Sequence, residues 1–452
     1  MMFCTKNNDF NELLKTMIPL VLSQLSLMGM NVMDATMSGH AGAVELAGVS
    51  MGTSLFMPII ASFTGILAAA TPMIAQLLGR RREVYIPYVV RTGLVLGIIL
   101  TLFFAIGYFL GISPIMIYLN LEPGVEHIAR TYLLLMIINL LFQTLLFPLR
   151  ALIDTVGSTA TSMRLVLLAL PINGLLNYLL IFGKWGVPRL GGIGAGVATV
   201  CTSLFMLLLF LFVVFRDKKY RASEIFERFE MRKTEWREYI SIGVPNGLSI
   251  LMEAGVFGFI IIFIAPFGTV SIGAHQSALS FCNLIYVLPM SCSMAMTILV
   301  GYEVGAQNFN RAKMLSRMGI RLTLTCAMIT ALSTVMGRFL IAGLYTESTE
   351  VLLLAGRFLL YGAGWQLFDA VAAPIQGILR GYKDTTIPFI MMLIAYWGVA
   401  LPVGLFLDHV MGQGAISYWR GLDCPPPKHI QHRPMMPSAS WGGAVYERYR
   451  KA

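Results

Sequence analysis

Three carboxylic acids stand inside otherwise apolar stretches: Asp34, Glu253 and Asp369. Arg380 and Lys383 close the stretch that holds Asp369. At about 1.5 Å per helical residue, the steps from Asp369 to Arg380 span about 16 Å. With Arg380 at a membrane surface, Asp369 falls near the middle of a hydrocarbon layer about 30 Å thick. An acid at that depth costs about 2.5–3.5 kcal/mol on insertion scales, so it needs a task or a partner. No basic residue is expected inside the same spans to pair with the three acids, which favours binding of a cation or a proton. Desolvation disfavours the charged form of a carboxyl. Such a group takes up a proton, holds Na⁺ with neighbouring oxygens, or attracts an organic cation. Glu253 and Asp369 would compete for one proton if their side chains met. Asn173 and Asn177 are one helical turn apart, so both amides share a face. With the Thr199 hydroxyl and Asp34 they make a candidate oxygen cage in the first half of the chain. Taken singly, each is more often a helix–helix hydrogen bond in a membrane bundle.

The elements that must position these groups follow from composition. The chain has 452 residues, 57% hydrophobic and 12% charged, with mean hydropathy +0.73. A soluble domain carries about 25% charged residues, so this is a polytopic membrane protein. Apolar runs recur at 16–38, 47–72, 88–112, 128–149, 162–182, 192–215, 240–267, 275–300, 318–342, 351–375 and 386–408. In lipid these runs are helices, because an open strand would leave backbone groups unpaired. The first run reads as a retained helix, since no small-residue cleavage site follows a short apolar core. Six cysteines show no paired spacing, and methionine, at 28 residues, is apolar filler in helices more often than ligand-adapting surface. Pro19, Pro171, Pro374 and Pro402 are candidate bends, though Pro19 lies near the end of its span and is also placed to begin that helix.

Basic residues mark the even-numbered junctions. They are Arg80, Arg81 and Arg82 after span 2, Arg150 and Arg164 after span 4, and Arg216, Lys218 and Lys219 among others after span 6. Arg311 and Lys313 follow span 8, and Arg380 and Lys383 follow span 10. The net charge of +10 therefore reads as positive-inside loops rather than a nucleic-acid surface, with the N-terminus in the cytoplasm of a cell (plasma or inner) membrane protein. An internal repeat accompanies this pattern. Thr71–Gly79 resembles Thr297–Gly305, and Pro148–Thr159 resembles Pro374–Thr385, both at an offset of 226 (297 − 71 and 374 − 148). Two six-helix halves in parallel topology follow, and repeats of this kind set a substrate site between them. The expected organisation is an N-terminal bundle over 1–215, a cytoplasmic linker over 216–238, a C-terminal bundle of five spans over 239–410, and an aberrant polar tail over 411–452.

That tail has no window of 18 apolar residues where a twelfth span is due. A shift of reading frame near Leu422 is the favoured explanation. A genuine 11-span chain with an outer tail is the alternative. Cys424, His429 and His432 lie in this tail, and a metal site there is disfavoured. The other histidines are scattered and no Walker-type phosphate loop occurs, so neither an enzyme nor an ATP-driven pump is expected.

Met30–Gly39 around Asp34, Pro171–Tyr178, Gly194–Thr199, Glu253, and Asp369 followed by Gly377–Asp384 together resemble the multidrug and toxic compound extrusion (MATE) family. The likeness is nearest to its NorM-like branch and covers about residues 12–422. The resemblance implies an all-α fold of 12 helices in two pseudo-symmetric bundles forming a V-shaped cavity, with the last helix lost here. It also implies export of cationic drugs and dyes in exchange for Na⁺ or H⁺. It sets the coupling acids on Asp34, Glu253 and Asp369, and a first-half cation cage on Asp34, Asn173, Asn177 and Thr199. Na⁺ would then bind at Asp34 or at Glu253 and Asp369. The branch often has a tyrosine one turn before the span-10 acid, where this chain has Trp365. Trp365 and Tyr361 are the candidate substrate-facing aromatics.

The expectation is a cation-coupled multidrug antiporter with no cofactor beyond its coupling ion, acting as a monomer in the bilayer on organic cations. Two alternatives are weighed. A flippase for lipid-linked precursors would need a cavity rich in Arg and Lys, and the acids argue against it. An intramembrane enzyme would need a nucleophile–base or metal set within the spans, and the sequence shows none.

Overall fold

The structure is a computed structural model that describes residues 6–119, 121–220, 222–226 and 232–422. Eleven helices among the described residues are long and apolar enough to cross a membrane, and no strand occurs among them. A helix satisfies its backbone within one segment, which is what an apolar surround demands. The chain divides into two compact units, Met1–Leu251 and Met252–Ala452.

The first unit comprises α1 (Lys6–Ala41), α2 (Ala43–Leu67), α3 (Ala70–Gly79), α4 (Ile86–Leu119), α5 (Pro123–Leu152), α6 (Thr159–Phe182) and α7 (Gly192–Arg216). The helices α2 and α3 are one span broken at Ala68 and Ala69. α5 is central, packed by α2, α4 and α7, while α1 lies along α6. Leu67, Ile74, Val90, Leu152 and Phe210 belong to one buried cluster of this unit. Val49, Phe56, Ile128, Met136 and Leu140 fill another cluster. Pro19 sits well inside α1, so it does not begin that helix.

The stretch read as a linker is partly docked. In the short α8 (Ala222–Phe226), the carbonyls of Ile225 and Glu224 accept from the buried Arg91, its Nε at 3.1 Å and its Nη2 at 2.6 Å. Tyr220 and Ile225 are buried. α9 (Lys233–Ile264) follows, and its first half belongs to the first unit. There Tyr239 donates to the Leu67 carbonyl at 2.8 Å, and Asn246 Nδ2 donates to the Gly65 carbonyl at 2.6 Å. The division between units falls within this helix, after Leu251.

The second unit continues with α10 (Thr269–Gly305), α11 (Phe309–Gly343), α12 (Thr349–Gly381) and α13 (Thr386–Met392). A π-wound stretch, Leu393–Ala400, leads into α14 (Leu401–His409), with Pro402 in its first turn, and α15 (Ile416–Leu422) closes the described chain. Its core gathers Val256, Ile260, Phe358, Trp365 and Trp419.

The backbone repeats as the sequence does. Gly42 and Gly268, Arg81 and Gln307, and Gly186 and Gly412 all have positive φ, each pair 226 apart (268 − 42, 307 − 81, 412 − 186). A positive φ is uncommon outside glycine, so its recurrence at Arg81 and Gln307 marks a shared turn. Helix starts at Ala43 and Thr269, and at Pro123 and Thr349, keep the same offset. α10 runs unbroken where the first unit splits into α2 and α3.

Part of the stretch read as a polar tail is packed. Tyr418, Trp419 and Leu422 are buried. Trp419 Nε1 donates to His275 Nδ1 at 3.1 Å, and its ring stacks on Phe358 at 5.6 Å between centroids. Tyr418 donates to Asp408 at 2.8 Å. Residues 423–452, with Cys424, His429, His432 and the frame shift expected near Leu422, lie outside the described residues.

Candidate functional site

In the first unit the four residues grouped by sequence meet. Asp34 is buried on α1, which α6 flanks. Asn177 Nδ2 donates to Asp34 Oδ1 at 2.5 Å and to Asn173 Oδ1 at 3.2 Å. Thr199, two turns into α7, brings Oγ1 to 2.9 Å from Asp34 Oδ2, and to the same distance from the Ala195 carbonyl. Spacing of four residues along α6 makes this possible, since it stacks both amides on the face that meets α1. Both protons of the Asn177 amide are spent in these bonds, so its orientation is fixed by its neighbours. Its Oδ1 is then left buried without a hydrogen-bond partner. An unsatisfied buried oxygen costs about 1–3 kcal/mol. A cation beside the Asp34 carboxylate would satisfy it, so the donor set fits a small hard ion.

Sequence reasoning passes over Tyr132. It is buried on α5, within electrostatic reach of Asp34, and its hydroxyl accepts from Thr53 Oγ1 at 3.4 Å. Two glycines make room for its ring. A Cβ at Gly52 would lie 2.7 Å from Tyr132 Cδ1, and one at Gly196 would lie 3.1 Å from Cδ2. A lone tyrosine in an apolar span gives no signal of its own; the facing glycines are the hint.

In the second unit, Asp369 is buried on α12 and Glu253 is half-buried on α9. Their charges act on each other. Neither carboxyl has a hydrogen-bond or ion-pair partner among the described residues. Tyr286 of α10 and Tyr396 of the π-wound stretch are within electrostatic reach of both acids. Neither phenol is picked out by sequence.

Arg380 stands in the last turn of α12, at the end of the apolar stretch as the sequence reads it. What the sequence does not show is its partners: its Nη2 donates to Ser293 Oγ at 2.6 Å, and it is within electrostatic reach of Glu253. The cause is the close crossing of α10 and α12. A Cβ at Gly377 would overlap the Ser293 carbonyl oxygen, and one at Gly381 would lie 3.0 Å from Gly301 N. Two glycines thus let the backbones touch, and the arginine between them folds along α10.

The two aromatics part company. Trp365 is buried one turn before Asp369, its ring 5.4 Å from Phe257. Tyr361 accepts from Arg420 Nε at 2.8 Å, with the guanidinium 5.4 Å from its ring centroid. It is engaged by α15. Among the described residues, no three His, Cys, Asp or Glu side chains converge to hold a metal ion.

A repeated all-α bundle with acids buried in both units defines a multi-pass membrane transporter. The MatE family model matches residues 19–179 and again 245–406, two copies whose starts are 226 apart (245 − 19). The chain belongs to this family. Its relatives include "Probable multidrug resistance protein NorM" of Bacillus cereus (strain ATCC 10987 / NRS 248), 38% identical over 422 residues, 92% of this chain and 93% of the relative. The protein of the same name from Bacillus licheniformis is 40% identical over 413 residues, 91% of each. Among solved structures, the eukaryotic MATE transporter AtDTX14 superposes with a TM-score of 0.85 at 20% identity, covering 98% of this chain and 99% of that one. The Vibrio cholerae MATE transporter VcmN, in its bent form, gives 0.80 at 19% identity over 98% and 97%. At such identities the structures speak to the fold alone.

Proposed function

We propose that this chain is a NorM-like multidrug efflux transporter that exports organic cations across the cell membrane in exchange for Na⁺ or H⁺. It works as a monomer, with its N-terminus in the cytoplasm. The observation that carries the reading is Asp34, buried in a membrane span and held by Asn177 and Thr199, beside an amide oxygen that lacks a partner. An acid so placed is costly unless it has a positive visitor. Glu253 and Asp369 supply a second such place, with Arg380 as a nearby counter-charge. Trp365 and its neighbour Phe257 offer aromatic faces to an organic cation. The names of the relatives support drug export.

Antiport follows if the ion and the drug prefer different conformations. Each then shifts the population that the other finds, by no more than its own difference in affinity. The experiment is ethidium transport in proteoliposomes, with Na⁺ and pH gradients imposed separately. Transport that rises with one of the two gradients is expected. Ethidium movement indifferent to both would contradict the reading.

A further inference from the structure

The second unit meets its acids differently from the first. Asn173 and Asn177 of α6 have their counterparts, 226 residues on, at Val399 and Val403 (399 − 173, 403 − 177). Neither can donate or coordinate through its side chain. The counterpart of the π-wound stretch Leu393–Ala400 is residues 167–174, which are ordinary α-helix within α6. So the helix that supplies amides in one unit is rewound in the other. π-Turns inside helices are frequent at functional positions because they re-aim side chains.

The rewound stretch is pinned to α9 next to Glu253. Trp397 Nε1 donates at 3.2 Å to the carbonyl of Met252, the residue before Glu253. A Cβ at Gly255 would lie 3.3 Å from Trp397 Cζ2, so the glycine lets the indole rest on α9. The adjacent Tyr396 has its ring 6.4 Å from Phe257, which stands one turn after Glu253. Phe257 is in turn 5.4 Å from Trp365, one turn before Asp369. Three rings therefore bridge the two acid-bearing helices, and only Tyr396 among them carries a hydroxyl. That phenol is within electrostatic reach of Glu253, Asp369 and Tyr286. A phenol can donate its one proton to a carboxylate and still offer an oxygen lone pair to a cation. Arg380 is a charged neighbour of the cluster, within electrostatic reach of Glu253 and Tyr286.

We propose that the Tyr396 hydroxyl is a ligand of the coupling cation at the Glu253–Asp369 pair, filling in the second unit the role that the α6 amides fill in the first. A phenol suits the place. Its oxygen offers a lone pair to Na⁺, or its O–H donates to whichever carboxyl lacks the proton. The inference rests on the reading that these acids bind the coupling ion.

The test is Tyr396→Phe, which keeps the ring and removes only the oxygen. Membrane insertion is checked first by size-exclusion profile in detergent. Ethidium efflux is then measured in proteoliposomes while Na⁺ is varied at fixed pH, and pH is varied without Na⁺. The half-saturating level of the driving ion should shift by about tenfold or more, the scale of one hydrogen bond to a charged group. The KM for ethidium should stay within about twofold, a split that general loosening of the helix would not give. Asp369→Asn is run in parallel. If Asp369→Asn abolishes ion-driven efflux while Tyr396→Phe keeps the wild-type ion dependence, the role of Tyr396 is overturned and the carboxyl reading stands. If Asp369→Asn leaves ion-driven efflux intact, both fall.

Discussion

Asn177→Leu isolates what the amide does for Asp34. The side chain is fully buried, and leucine has the same number and branching of heavy atoms, so its shape is largely kept. The change removes a donor 2.5 Å from Asp34 Oδ1, a second bond 3.2 Å long to Asn173, and the unpartnered Oδ1. A hydrogen bond to a charged group is worth about 1.5–3 kcal/mol net. At about 1.4 kcal/mol per factor of ten, the half-saturating level of the driving ion should shift by roughly ten- to a hundredfold. Thr199→Val removes the other donor, at 2.9 Å, but that hydroxyl is equally near the Ala195 carbonyl, so its shift should be smaller. The assay is ethidium efflux from proteoliposomes across a series of Na⁺ concentrations and pH values. Insertion is confirmed by detergent size-exclusion, because a buried carboxylate without its donor also costs stability. An inserted Asn177→Leu protein whose ion dependence superimposes on wild type would refute the cage.

Gly377→Ala should lower the thermal midpoint in detergent. Its Cβ would overlap the Ser293 carbonyl oxygen, forcing α10 and α12 apart at a cost of about 1–3 kcal/mol. Gly107→Ala, with no atom within 4 Å of the new carbon, is the neutral comparison, and equal midpoints for the two would sink the close-crossing argument. Arg91→Ala should release the Ile225 and Glu224 carbonyls and speed tryptic cleavage around Lys218 and Lys219 severalfold in detergent-solubilised protein. An unchanged cleavage rate would mean the docked linker does not depend on this arginine.

Much of the architecture is legible in the sequence because it depends on local sums. Hydropathy over about 20 residues marks a span whatever the span packs against, and the 11 apolar runs correspond to the 11 candidate spans. The repeat is legible because residue types recur at one offset, and the positive-φ turns at Arg81 and Gln307 carry the same register. The Asp34 cluster is legible because amides one turn apart share a face. The bond from Arg380 to Ser293 is not legible because it depends on Gly377 and Gly381 meeting α10, which is a contact between distant segments. Tyr132 and Tyr396 are missed for the same kind of reason. One is placed by glycines on two facing helices, and the other by a π-turn that leaves no mark in composition. The bond from Arg420 of α15 to the Tyr361 hydroxyl is likewise a contact between distant segments that local sequence does not show.

The most direct test exchanges all three membrane acids for their amides at once, as Asp34→Asn, Glu253→Gln and Asp369→Asn in one chain. Proteoliposomes holding this variant and wild type are given the same imposed ion gradient, and ethidium transport is followed by fluorescence. The account predicts gradient-driven transport in wild type and none in the inserted triple variant. Equal gradient-driven transport in both would contradict it.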